Sequence, residues 1–131
     1  MRRILLFATA AALLACTAAY AHHSYGATYD VNRQVKLEGK IVQFVFRNPH
    51  SFVHVQATDD KGVQQRWSLE WGGTSQLGNQ GLSKDSLRVG DEVTVSARPS
   101  RVPGEYRGLL VTLKRPADGF TWGAKAGEVV D

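Results

Sequence analysis

Residues 51–71 read SFVHVQATDDKGVQQRWSLEW, and this stretch decides the fold. Apolar and polar residues alternate on both sides of Asp59-Asp60-Lys61-Gly62. That period belongs to strands buried on one face, and the four residues between them carry turn chemistry. Val53, Val55 and Ala57 point one way; Phe52, His54 and Gln56 point the other. On the return strand Trp67, Leu69 and Trp71 share a face. A two-residue loop at Asp60-Lys61 would set His54 opposite Trp67 and mix a polar face with a core face. A three-residue loop ending in a left-handed Gly62 sets Val53 opposite Leu69 and Val55 opposite Trp67. The expectation is therefore a hairpin of strands 51–58 and 63–71 joined by that loop.

Upstream, residues 35–46 read as one long strand, apolar at Val35, Leu37 and Ile41 and apolar on both faces from Ile41 to Phe46. Gly39 is expected to mark a bulge or bend where this strand changes partners. Asn48-Pro49 ends it, because proline cannot donate to a ladder. Downstream, residues 72–90 are rich in Gly, Ser and Asn and read as a loop, with one helical turn expected near Ser83–Leu87. Alternation resumes at 91–98 with Val93, Val95 and Ala97 inward. Pro99 to Gly108 reads as a hairpin loop, and Leu109, Val111 and Leu113 mark a fifth strand. Pro116 onward reads as a tail, with Phe120 and Trp122 as the residues able to dock it. Five strands, a long bent first one and an irregular third connection predict an all-β, five-stranded OB-like Greek-key barrel over residues 35–115. The alternative is a small open β-sandwich.

The N-terminus reads as an export signal. Arg2 and Arg3 precede an apolar run from Ile4 to Leu14, and Ala19-Tyr20-Ala21 places small residues where a signal peptidase cuts. The run is shorter than the ~20 residues a membrane span needs, so no transmembrane segment is expected after processing. The chain then divides into a signal peptide (1–21), a leader carrying His22-His23 (22–34), the barrel (35–115) and a tail (116–131), and a periplasmic location follows. Leu13-Leu14-Ala15-Cys16 offers the competing cut, a lipoprotein box with lipidation at Cys16. Cleavage after Ala21 leaves 110 of 131 residues, enough for one compact domain, and lowers the formal charge from +4 to +2. That bias is too weak to argue for nucleic acid. Cys16 is the single cysteine. A mature chain without it has no thiolate catalysis, Cys-ligated zinc or iron–sulfur cluster.

The four histidines all lie within residues 22–54. After cleavage, His22 and His23 would open the chain. A free α-amine titrates near pH ~8, so it yields its proton to a metal readily and chelates together with its own imidazole. One further histidine completes a three-nitrogen set of the kind that suits Cu(II). His50 is the expected third ligand, held on the Asn48-Pro49 corner. His54 lies four residues along, about 13 Å in a strand, too far to share the ion. Glu70 faces Phe52 in the chosen register, placed to ligate or to orient an imidazole. Asp30 is a lesser candidate. Each of these residues also has a plain structural reading: His50 as a turn cap, His54 as a solvated side chain, Glu70 in a surface pair with Arg66 or Arg47.

No nucleophile elbow, phosphate loop or helical His-Glu-His motif is present, so no enzyme class is assigned. The basic and aromatic residues Arg98, Arg101, Tyr106 and Arg107 gather near the last hairpin loop. The alternative to copper binding is thus a non-catalytic module for an envelope partner protein or a glycan, with Tyr106 and Arg107 (and His54) as its contacts.

His22-His23-Ser24-Tyr25, Leu37-Glu38-Gly39-Lys40-Ile41, Asn48-Pro49-His50, Trp67-Ser68-Leu69-Glu70 and Gly90-Asp91-Glu92-Val93 together resemble an uncharacterised family of small exported bacterial proteins, known only as a domain of unknown function. The His-His-Ser start and the Asn-Pro-His corner are its most specific parts. The resemblance implies a periplasmic single domain and groups His22, His23, His50 and Glu70. It brings no activity or ligand. This chain departs from the family around Gly72–Gly81, which is glycine-rich and lacks an aromatic near Leu82.

Overall fold

The computed structural model describes residues 25–123. The expected signal peptide (1–21), Cys16, His22 and His23 lie outside the described residues. Six strands and one labelled helix follow in order: β1 (Val35–Val45), β2 (Phe52–Thr58), β3 (Gln64–Glu70), α1 (Thr74–Asn79), β4 (Glu92–Pro99), β5 (Arg107–Arg115) and β6 (Phe120–Trp122). The sheet runs β3-β2-β1-β4-β5-β6, and a further β3–β5 pairing closes the first five strands into a barrel. That closing pair is parallel, from Ser68↔Arg107 to Glu70↔Leu109, while the other pairs are antiparallel. The fold is a closed five-stranded mixed barrel with one added edge strand, not an open sandwich.

The β2–β3 register is the one the faces demanded: Val53 opposes Leu69 and Val55 opposes Trp67. Gly62 takes φ +80 at the end of the three-residue loop. The loop is closed by Asp59, whose Oδ1 accepts the Lys61 and Val63 N–H groups at 2.9 Å each.

β1 serves two neighbours, with Val35–Lys40 on β4 and Glu38–Val45 on β2. The bulge lies between Ile41 and Gln43 rather than at Gly39. Gly39 answers a different need. A Cβ there would sit 2.0 Å from the Gln56 carbonyl oxygen, so the strands can approach only over a glycine. A second bulge separates Ser96↔Thr112 from Ala97↔Leu110. It upsets the alternation expected for β5: Leu110 and Leu113 are buried, while Leu109 and Val111 are half-exposed.

The core gathers the inward residues of the five strands, with Leu77, Leu82 and Leu87 filling it from the β3–β4 connection. The helical turn expected at Ser83–Leu87 is found instead at Thr74–Asn79. Gly78 disfavours a helix by about 1 kcal/mol, but complete burial of Leu77 returns roughly 2 kcal/mol. Ser83 and Ser86 make a local turn of their own, in which Ser86 Oγ accepts the Ser83 N–H at 2.8 Å. Residues 25–28 are helical, and Tyr29 bridges to Ser100 with its side chain buried. Phe120–Trp122 pairs with Leu113–Arg115, so the two aromatics expected to dock the tail do so as a strand.

Candidate functional site

The connection from β1 to β2 is a clamped corner. Asn48–Pro49 is a cis peptide. Ser51 behind it is fully buried; its N–H donates to Gly72 O at 3.0 Å, and its carbonyl accepts from Trp71 N–H at 2.8 Å. Ser51 Oγ also bonds the Arg47 backbone. Gly73 lies so close that a Cβ would meet Pro49 O at 2.5 Å and Asn48 Oδ1 at 2.6 Å. The glycine-rich stretch that reads as a plain loop thus has a steric role, letting the chain after β3 run beneath the His50 corner.

Five side chains converge there from four parts of the chain. Glu70 ends β3 directly opposite Phe52. Its Oε1 stands 3.4 Å from His50 Nδ1, and its Oε2 accepts a short hydrogen bond from the Tyr29 hydroxyl. The Tyr25 hydroxyl reaches the same His50 Nδ1 at 2.9 Å, its ring edge-on to the imidazole. Arg107, at the start of β5, brings Nη2 to 3.4 Å from the Tyr29 hydroxyl. The Glu70 side chain is only 13 % exposed, whereas that of His50 is 38 % exposed. The carboxylate is therefore inside the cluster and the imidazole at its rim.

Protonation follows from the partners. Burial, reinforced by the Glu70 charge, raises the Tyr25 hydroxyl above its ordinary range. Burial raises Tyr29 further, helped by its hydrogen bond to Glu70 and by that charge, against a smaller opposing pull from Arg107. Both phenols stay protonated at neutral pH. The Glu70 carboxylate and the Tyr25 hydroxyl both meet His50 at Nδ1. Among the described residues nothing bonds to His50 Nε2.

The remaining sequence candidates lie apart. His54 sits on β2 opposite Ser68, stacked on Phe52 with ring centroids 6.4 Å apart. Burial, and then the nearby Arg66, lowers its pKa. Asp30 accepts the Asn32 N–H at 3.1 Å and closes a local turn. Tyr106 lies edge-on against Trp67 at 5.6 Å, while its neighbour Arg107 turns toward Tyr29. Strand alternation sends these two to different surroundings. Glu70 is not paired with Arg47 or Arg66: Arg66 donates to Gln43, and Arg47 lies over the Phe52 ring. Among the described residues no group of three His, Cys, Asp or Glu side chains is placed to hold a metal ion. Glu70 is placed to orient His50. Sequence reasoning missed Tyr29, whose one signal is a second large aromatic in the leader, four residues after Tyr25.

What the cluster can do chemically is present the Nε2 nitrogen of an imidazole whose Nδ1 side is held by a carboxylate and a phenol. Such a nitrogen serves as a metal ligand or as a proton acceptor. Residues 11–110 match a family described as being of unknown function (DUF6152). No curated protein and no solved structure matches the chain.

Proposed function

The chain belongs to DUF6152, a family of unknown function, and within it we propose that this protein is exported, begins at His22 after processing, and binds copper through its N-terminal histidines together with His50. The reading rests on one observation: His50 holds Nδ1 against Glu70 and Tyr25, and among the described residues nothing bonds its Nε2. Zinc and copper sites commonly hold their histidines in this way, with the distal ring nitrogen bonded to a carboxylate or another acceptor.

Tyr25 adds a second support. It stands three residues after His22 and touches His50. Three residues of chain span at most about 10 Å, so covalent reach permits the His22 amine and ring to meet His50 Nε2. His22 would supply two nitrogens and His50 the third, with His23 as an adjacent donor, a set suited to Cu(II). Glu70 would hold His50 without touching the ion.

The test uses protein recovered from the periplasm without an N-terminal tag. Its intact mass is taken, and it is titrated with Cu(II) under electron paramagnetic resonance. A mass starting at His22 with one nitrogen-rich copper per chain is the expected result. A lipidated Cys16 terminus, or no stoichiometric copper, would overturn the reading. One extra residue before His22 removes the amine from the chelate and should weaken binding sharply; an unchanged affinity would exclude the amine.

A further inference from the structure

Three segments bring Arg107, Tyr29 and Glu70 to one patch. The Ser100 N–H donates to the Arg107 carbonyl at 2.9 Å, and Ser100 also bridges to Tyr29. The β3–β5 pairing sets Arg107 opposite Ser68, two residues before Glu70. Residues two apart on a strand share a face, so the arginine at the start of β5 and the carboxylate at the end of β3 lie on the same side of the barrel wall, with the leader's tyrosine beside them.

The hydrogen bonds among the three run in one direction. A guanidinium can only donate, and Arg107 Nη2 donates to the Tyr29 hydroxyl at 3.4 Å. That hydroxyl has a single proton, which it gives to Glu70 Oε2. Tyr29 is 1 % exposed, so its hydroxyl depends on these two partners. The Arg107 guanidinium also lies over the Tyr29 ring, 6.0 Å from its centroid. A phenol that accepts from Arg107 while donating to Glu70 is held in one orientation. The carboxylate it grips keeps its other oxygen, Oε1, against His50 Nδ1.

We propose that Arg107 is a positioning residue of the copper site, fixing His50 through Tyr29 and Glu70 without touching either the imidazole or the ion. The proposal rests on the copper reading.

The test is competitive Cu(II) titration of the untagged mature protein and its variants, with NMR of the histidine rings before copper is added. Arg107 is exposed, so its side chain can be changed without opening the core. Arg107→Met keeps an apolar stem and removes the donors; copper affinity should fall about tenfold, the smaller end of what losing an outer partner of a metal-bound histidine costs. Arg107→Lys should recover most of that loss, because an ammonium can donate to the phenol. The double variant Arg107→Met/Tyr29→Phe should bind no more weakly than Tyr29→Phe alone, since Arg107 acts only through that hydroxyl. In the metal-free protein Arg107→Met should move the His50 ring signals and leave those of His54 in place. Unchanged affinity in Arg107→Met, no recovery in Arg107→Lys, additive losses in the double variant or unmoved His50 signals would each overturn the proposal while leaving the copper reading intact. Absence of copper from the parent protein would overturn the copper reading and the proposal with it.

Discussion

Glu70 and His50 meet at 3.4 Å because Phe52, two residues beyond the histidine, is the cross-strand partner of the glutamate. The barrel delivers the carboxylate to the corner, and Ser51 holds the corner to the chain that follows β3. Glu70 is the better buried of the two. The histidine is therefore the group presented to solvent, and the carboxylate its support.

Replacing Glu70 with Gln keeps the size and an acceptor for Tyr29 but removes the charge beside His50 Nδ1. Copper affinity should fall about 10–100-fold, the usual cost of losing such a support. His54→Ala should leave it unchanged, since His54 lies on Phe52 away from the cluster. Competitive copper titration of both variants checks this; equal affinities would remove Glu70 from the site.

Tyr29→Phe takes the hydroxyl from Glu70 Oε2 and leaves a mostly buried carboxylate oxygen short of a donor. A hydrogen bond to a charged group contributes about 1.5–3 kcal/mol. Urea unfolding should show a free energy lower by that amount, read as a lower midpoint with an unchanged slope. An unchanged midpoint would mean that water replaces the phenol without loss.

Two glycines of the β3–β4 connection should respond in opposite directions. A Cβ at Gly73 runs into Pro49 O and Asn48 Oδ1, so Gly73→Ala should destabilise by about 1–3 kcal/mol and move the His50 signals in an NMR spectrum. Gly78, inside α1, has open space around it, and Gly78→Ala should stabilise by about 0.5–1 kcal/mol. Thermal unfolding of the pair distinguishes the steric role from simple flexibility; loss of stability in both would contradict it.

His54 makes stability depend on pH in a defined direction. Burial, then Arg66, lowers its folded pKa below the ordinary 6.5. Between the folded value and 6.5 the unfolded chain binds more protons, so stability rises with pH across that window. His54 should thus cost nothing above about pH 7, and its full cost should be present below the folded pKa. Comparing urea midpoints at pH 7.5 and 5.5, the loss on acidification should be smaller in His54→Gln than in the parent. An equal loss in the two would assign the acid sensitivity elsewhere.

Much of the barrel was legible because burial on one face leaves a period of two in the chain. The β2–β3 register could even be derived, since a two-residue loop would have set His54 against Trp67. The misplacements share one cause. The bulges at Val42 and Val111 shift the alternation by one residue, and nothing local marks them. The helix at Thr74–Asn79 exists because Leu77 enters the core, which outweighs a glycine that reads locally as a breaker.

The candidate site divides along the same line. Sequence alone named His50 and Glu70, through a proline-bound corner and a strand register, and those two residues do meet. It grouped Tyr106 with Arg107 because they are neighbours in the chain, and it passed over Tyr29. Only the closed barrel separates Tyr106 from Arg107, sending Tyr106 to Trp67 and Arg107 to the Tyr29 hydroxyl. Only the docking of the segment around residues 25–29 brings two phenols onto the His50–Glu70 pair. Alternation within a strand is local and is written in the residue order. Which segments a barrel brings face to face depends on how distant strands close on one another, and no short stretch of the chain contains that information.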